Sequence, residues 1–344
     1  MRAALVLLLL VPSVTWAADK GEVKLGGRLF TAGKIEAIDG QETLASADVR
    51  SLRLEADWRW TFLRAVGEIE VAKGEAELKD AYVRARMDQV LGRFDAAVGR
   101  KKAAFSRMTL ASSWDLPIVR RGMLDQALSD RALIGGRSVG AHFGAELKRV
   151  PLHPGAYLSV TQAEDASGAA IPDAGKIAAR VEAKAGFASF GVATEARQAI
   201  ARPEIGVGTW MAFEADAEIE REMAGFTWRG WLEATTAKTW IDTEPLDGDD
   251  AWLVAAQLLL AARLDGKTSG REYVEAFAFF QLLEPDAGVT ADIAWEVGGG
   301  LNVGMWKRAR LQLQAERWAV DRNTPTAYGL VEQTVVMLQA GVAF

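Results

Sequence analysis

Cysteine is absent from the 344 residues, and histidine occurs only twice, at His142 and His153. The first absence excludes disulfides, thiolate metal sites and thiol nucleophiles. The second leaves no spacing that could build a zinc centre. One catalytic arrangement stays open, a hydrolase using His142 beside Ser138 on a common strand face. Proline is scarce, 9 against 33 glycines, which disfavours a proline-rich linker and suits many strands joined by turns.

Long apolar runs are also missing beyond the first residues. The longest, 251–262, is broken by Gln257 and falls short of the ~18 residues a membrane helix needs. The net charge of −6 comes without a basic stripe or basic helix, so no nucleic-acid partner is expected. Gly298-Gly299-Gly300 does not open a helix and is therefore no phosphate loop; it reads as a bend near a sheet rim. No cofactor is expected.

At the start, Arg2, the apolar run 3–11 and the small-residue exit Thr15-Trp16-Ala17 have the architecture of a signal peptide cut before Ala18. Residues 1–17 are thus expected to be removed, which takes Arg2 away and leaves 18–344 as one domain.

That domain alternates with period two. Leu52, Leu54, Ala56, Trp58 and Trp60 share one face, while Ser51, Arg53, Glu55, Asp57 and Arg59 share the other. A helix would wrap both sets around its circumference, whereas a strand sends them to opposite sides of a sheet. The pattern recurs at 63–71 and at 80–87, where Asp80, Tyr82, Arg84 and Arg86 oppose Ala81, Val83, Ala85 and Met87. Further strands are expected at 23–29, 94–101, 138–148, 156–162, 177–185, 188–197, 207–219, 226–235, 252–263, 273–281, 289–297, 309–315 and 330–344. A chain of this length could bury two soluble cores or close one large barrel; strands of about ten residues with one apolar and one densely charged face favour the second, so the expected fold is all-β: a transmembrane antiparallel β-barrel of about sixteen strands. An even count brings both termini to the periplasmic side.

Connections differ in length. Gly74-Glu75 and 149–154 read as periplasmic turns, and 164–175 and 237–250 as outer loops. The longest, 103–136, follows the fifth strand and is the third outer loop. It contains Leu110, Trp114, Leu116, Ile118, Val119, Met123, Leu124, Leu128, Leu133 and Ile134, too apolar for disorder, so it is expected to fold into the pore as a constriction. Trp58, Trp60, Trp228, Trp252, Trp295, Trp306 and Trp318 fall near strand ends, as interfacial aromatic girdles do. The C-terminal alternation Val336, Leu338, Ala340, Val342, ending on Phe344, resembles the recognition signal of bacterial outer-membrane barrels, which implies the barrel assembly machinery as a partner and the outer membrane, with its lipid and lipopolysaccharide, as the location.

The segment 76–140 carries a narrower likeness. Leu78-Lys79-Asp80-Ala81-Tyr82-Val83, then 98–107 (Val-Gly-Arg-Lys-Lys-Ala-Ala-Phe-Ser-Arg), Ser112-Ser113-Trp114-Asp115-Leu116 and Gly136-Arg137-Ser138-Val139-Gly140 resemble the phosphate-selective porin O and P family. Two positions depart from it: Ala104 stands where a proline is expected and Ser138 where an aspartate is. The resemblance implies a homotrimeric pore for small hydrophilic solutes, with an anion or phosphate preference and with Lys102 at the constriction. Arg100, Lys101, Arg107, Arg120, Arg121, Arg131 and Arg137 cluster beside it, a local basic excess that would compensate the charge of a permeating anion. Against that stand Glu55, Asp57, Glu68, Glu70, Glu214, Asp216 and Glu218 on the same lumen face, which suit a less selective, mixed-charge pore. A barrel plugged by its own loop, serving a structural or adhesive role, is the alternative from another class.

Overall fold

The computed structural model describes residues 14–18, 21–39, 41–72, 74–131, 134–164, 170–200, 207–239, 251–266, 272–305, 308–324 and 328–344. Within them the alternating segments form strands β1 (Val14–Ala18), β2 (Gly21–Ile38), β3 (Leu44–Trp60), β4 (Leu63–Ala72), β5 (Glu75–Asp88), β6 (Gly92–Lys102), β7 (Arg137–Leu147), β8 (Gly155–Glu164) and β9 (Ala170–Ala185). The second half continues as β10 (Ala188–Ile200), β11 (Val207–Met223), β12 (Phe226–Thr239), β13 (Ala251–Asp265), β14 (Glu272–Glu284), β15 (Ala294–Met305), β16 (Ala309–Val320) and β17 (Gln333–Ala343). Each strand pairs antiparallel with the next, and β17 pairs with β2, so β2–β17 close into a sixteen-stranded barrel without a free edge.

The short β1 pairs with Gly21–Leu25 of β2, on the side where β17 ends and Phe344 exchanges backbone hydrogen bonds with Gly27. It lies across the expected cleavage point; residues 1–13 of the expected signal peptide are outside the described residues.

Side-chain alternation sorts the two faces. On β16, Leu311 and Leu313 point outward and are about half exposed, while Arg310, Gln312, Gln314 and Glu316 point inward and are buried. The same register runs around the wall and leaves a continuous apolar outer band. Trp60 and Trp228 flank it at the end that carries the chain termini, and Trp252 and Trp295 at the opposite end. Trp318 does not belong with them. It faces the lumen, 1% exposed, with the Arg120 guanidinium 4.7 Å from its ring centroid. Trp306 is outside the described residues.

Sixteen strands were expected and sixteen close the barrel, with two local corrections. The strand expected at 289–297 begins at Ala294, because 286–292 is a turn: Asp292 Oδ2 accepts from Asp286 N at 3.0 Å, and Asp286 Oδ1 accepts from Gly288 N at 2.9 Å. Gly298-Gly299-Gly300 consequently sits inside β15 rather than at a rim. A Cβ on Gly298 would strike the Phe279 ring, and one on Gly300 the Phe277 ring, so the glycines seat two inward-facing aromatics. The second correction concerns Gly74-Glu75. Strict strand alternation puts that turn at the end opposite the termini, with the 103–136 loop, whereas 149–154 is at the termini end as expected.

The outward assignment can be checked at Leu258, which lies in register between Leu232 and Phe280 on the apolar band. Leu258→Arg is expected to cost about 2–4 kcal/mol in denaturant titrations of the protein folded into lipid vesicles. An unchanged midpoint would contradict the assignment.

Candidate functional site

Between Lys102 of β6 and Arg137 of β7 the chain turns into the barrel. It forms a short helix α1 (Arg107–Leu110), another α2 (Gly122–Leu124) and a wide π-helical turn, Asp125–Arg131. The apolar residues expected to hold it inside do so. Met108, Leu116 and Ile118 pack on the inward side chains Trp231, Leu259, Phe277 and Phe279, and Phe105, Met123, Leu124 and Ile134 pack on Leu253, Leu283 and Trp318.

Helices this short leave most of their backbone polar groups without internal partners, and burial makes that costly. The β10–β16 wall supplies the partners. Glu195 accepts from Gly135 N at 3.1 Å, Glu214 from Arg107 N at 3.2 Å, Glu233 from Met108 N at 2.9 Å and Ser106 Oγ at 2.8 Å, and Glu296 from Met123 N at 2.5 Å. Gln281 accepts from Leu124 N at 2.8 Å and Gln314 from Val119 N at 2.7 Å. Donors on the same wall take the carbonyls: Asn302 and Gln312 both reach Pro117 O, and Arg310 reaches the carbonyls of Ser113, Trp114 and Leu116. Approach is so close at Gly122 (φ 81°) that a Cβ would overlap the Glu296 carboxylate and come within 2.8 Å of Gln281 Oε1. Only glycine serves there. Ser106 also holds a positive φ of 52°, fixed by its bonds to Glu233 and from Thr109 N.

The loop thus covers one wall and leaves the other open. Three cavities line its free side: a vestibule of about 810 Å³ at the end opposite the termini, an inner cavity of about 430 Å³ toward the termini, and a side cavity of about 480 Å³ against β2, β3 and β17. Arg53, Lys102 and Arg137 border both the vestibule and the inner cavity, which marks the narrow passage between them. Eight Lys and Arg against three Asp and Glu line the vestibule, and nine against five line the inner cavity, so the open path is basic in an acidic chain.

The expected basic residues divide by what they touch. Arg100 holds Glu164 at 2.7 Å, Arg137 holds Asp80 at 2.9 Å, Arg107 pairs with Glu218, and Arg120 pairs with Glu316. Those charges are largely cancelled locally. Lys101 stands 5.8 Å from the Tyr82 ring centroid and lines the inner cavity. Lys102 donates to the carbonyls of Thr109 (2.6 Å), Leu110 (3.3 Å) and Ala111 (3.1 Å), closing the C-terminal end of α1. Arg121 donates to Met108 O and Ala111 O. Burial lowers its pKa from the ordinary guanidinium value, with Asp125 opposing and Arg53 and Arg137 adding repulsion. The side chain of Arg131 lies outside the described residues.

Sequence reasoning centred on the loop motif and gave no role to Arg50, Arg53, Arg84, Arg86 and Arg310. Three of them, Arg53, Arg84 and Arg86, were visible as polar members of the alternation. Of the cations lining the cavities, Arg50, Arg84, Arg86, Lys101, Lys102, Arg121 and Arg310 have no carboxylate within 4.0 Å among the described residues. The seven lumen acids that suggested a mixed-charge pore are engaged. Glu214 holds the loop, Glu218 pairs with Arg107, Asp216 with Arg180, Asp57 with Arg64, Glu70 with Arg53, and Glu55 and Glu68 with Arg28.

The Ser138 hydroxyl makes no hydrogen bond to His142. Its Nδ1 is 2.9 Å from Ser159 Oγ on β8, and that oxygen accepts from Ala104 N at 3.1 Å. Ser159 therefore ties the root of the loop to the wall.

No family model matches the chain, and no curated protein matches it either. Solved structures do. An anion-selective porin from Comamonas acidovorans superposes with a TM-score of 0.64 at 14% identity, over 94% of this chain and 100% of that one. The outer membrane channel DcaP of Acinetobacter baumannii superposes with 0.63 at 10% identity, over 97% and 100%. A trimer form of OmpT, an outer membrane protein of Vibrio cholerae, gives 0.58 at 11% identity, over 95% and 100%. The chain has the fold of outer-membrane porin barrels.

Lys102→Met keeps the stem length but removes the charge that holds three carbonyls. It is expected to loosen the loop, visible as larger and noisier single-channel conductance in planar bilayers. A conductance equal to that of the parent protein would show that Lys102 is not a loop anchor.

Proposed function

We propose that this chain is a passive channel of the bacterial outer membrane, admitting small hydrophilic solutes and favouring anions. One observation carries the reading: most acids of the lumen are bound to the loop or to basic side chains, while seven lining cations have no carboxylate within 4.0 Å among the described residues. Anions in a narrow, low-dielectric passage need compensating positive charge, and rows of Arg and Lys supply it. The solute diffuses and is not transformed; this is a pore, not an enzyme. Ser159 and His142 have no aligned carboxylate and engage the loop root, which disfavours a hydrolase.

The same reading makes 1–17 a cleaved export signal and 18–344 a single barrel domain, delivered by the barrel assembly machinery through its Phe344 strand into lipid and lipopolysaccharide. The motif likeness to the phosphate-selective porin O and P family supports a homotrimer, as does the trimer form of a structural neighbour. That likeness puts Lys102 at the constriction, and Arg100, Lys101, Arg107, Arg120, Arg121, Arg131 and Arg137, which cluster in or beside the loop in the sequence, complete the candidate constriction set. The geometry favours giving the selective part to Lys101 and Arg121, with Lys102, Arg107 and Arg120 holding the loop.

Reconstitution in planar bilayers under a salt gradient tests this. A reversal potential of anionic sign is expected. A cationic sign would refute the preference, and well-folded protein without conductance would favour the plugged, structural reading.

A further inference from the structure

The side cavity, about 480 Å³, is as large as the inner cavity of about 430 Å³, yet the passage at Lys102 and Arg137 does not run through it. It reaches Ala72, the last residue of β4 at the end opposite the termini, and meets the vestibule at Arg121 and Asp125. Toward the termini it comes very near the inner cavity. In the loop, Ser113 borders the side cavity and its neighbour Ser112 the inner one; on β2, Phe30 borders the side cavity and Arg28, two residues on, the inner one. Arg53 stands at the junction of all three cavities, held by Glu70 at 2.7 Å and Glu68 at 3.5 Å. The partition between side and inner cavities is therefore about one residue thick along the loop.

Residues 112–116 make that partition, as a turn in which Asp115 N and Leu116 N donate to Ser112 O at 2.9 and 3.2 Å. It lies in no helix or strand, so side chains of the wall must hold it. Arg310 of β16 donates to the carbonyls of Ser113 (2.7 Å), Trp114 (2.9 Å) and Leu116 (3.2 Å). Its guanidinium carbon stands 4.8 Å from the Trp114 ring centroid and 5.5 Å from that of Phe30, and the two rings are 5.5 Å apart at 52°. Charge-assisted hydrogen bonds and two aromatic faces on one buried cation fix the turn far more firmly than its own two amides do. From the inner cavity, Arg28 Nη1 donates to Ser112 Oγ at 3.0 Å. The wall leaves space for the rings at Gly341 of β17, where a Cβ would lie 2.8 Å from the Phe30 ring and 3.2 Å from the Trp114 ring.

We propose that the Phe30, Trp114 and Arg310 cluster shuts a second route through the barrel, leading from the vestibule through the side cavity into the inner cavity. Closing it confines solutes to the passage at Lys102 and Arg137, so that one set of residues filters everything that crosses. Arg310 and Trp114 are positioning residues in this role: they act on the solute through the turn they hold. The proposal rests on the channel reading and deepens it by naming what keeps the pore to a single path.

The test blocks the passage and asks whether current survives. The chain has no cysteine, so Arg137→Cys supplies a single thiol beside the passage for a bulky maleimide. In planar bilayers, complete labelling of R137C is expected to abolish the current. With Trp114→Ala or Gly341→Ala added, a residual current through the side cavity should persist after the same labelling. Neither substitution changes charge; the first removes a ring and the second displaces both, and using two guards against one failing to fold, which heat-modifiable gel migration reports. Lipid-facing Trp252→Ala is the control and should be blocked as R137C is. Complete block of both opened variants would overturn the shutter while leaving the channel reading standing. Residual current in fully labelled R137C alone would also overturn it, because the second route would already be open. An unlabelled, folded parent protein without conductance would remove the channel reading, and the shutter with it.

Discussion

The hydrogen bonds between wall carboxylates and loop backbone are the constraint from which the rest follows. A 34-residue segment cannot lie inside a barrel unless its amides and carbonyls find partners, and its helices are too short to provide them. Glu195, Glu214, Glu233 and Glu296 accept its N–H groups, while Arg310, Asn302 and Gln312 donate to its carbonyls. Acidic side chains suit this role because a carboxyl group presents two oxygens and can accept more than one hydrogen bond.

That attachment changes the electrostatics of the lumen. Carboxylates that would otherwise face the solute are turned into the loop's scaffold, and others are matched to arginines such as Arg180 and Arg64. The cations left over lie on the open side, so a chain of net charge −6 presents a basic path. Net charge describes the molecule as a whole, whereas a solute in the lumen meets only the uncompensated groups along its route.

The barrel was legible because period-two alternation is a local signal that repeats, and each repeat independently indicates a strand. Where it failed, a turn competed: the Asp286–Asp292 hydrogen bonding looked like the start of a strand in composition, and the glycine run whose Gly298 and Gly300 seat Phe279 and Phe277 looked like a bend. Trp318 was misread for a related reason, since position near a strand end does not reveal which face a ring takes. The site was only half legible. The loop's apolar content foretold its inward fold, and the motif located Lys102, but pairing between distant strands decides which charges survive. Glu233 lies 125 residues from the Met108 amide it accepts, and no spacing rule reaches across that distance. Arg84 and Arg86 were visible as lumen residues; that they have no carboxylate within 4.0 Å among the described residues was not.

If the loop is what occupies the acids, removing it should expose them. Residues 103–136 contain four Arg and three Asp, so replacing 106–134 with a short glycine-serine link changes the loop's own charge by only about one unit. It would uncover Glu195, Glu214, Glu233, Glu296 and Glu316 on the wall. Reversal potentials of the parent and loop-replaced barrels, measured under one salt gradient, decide the matter. The account predicts an anionic potential for the parent and a shift toward cation preference without the loop, and an equally anionic potential in both would contradict it.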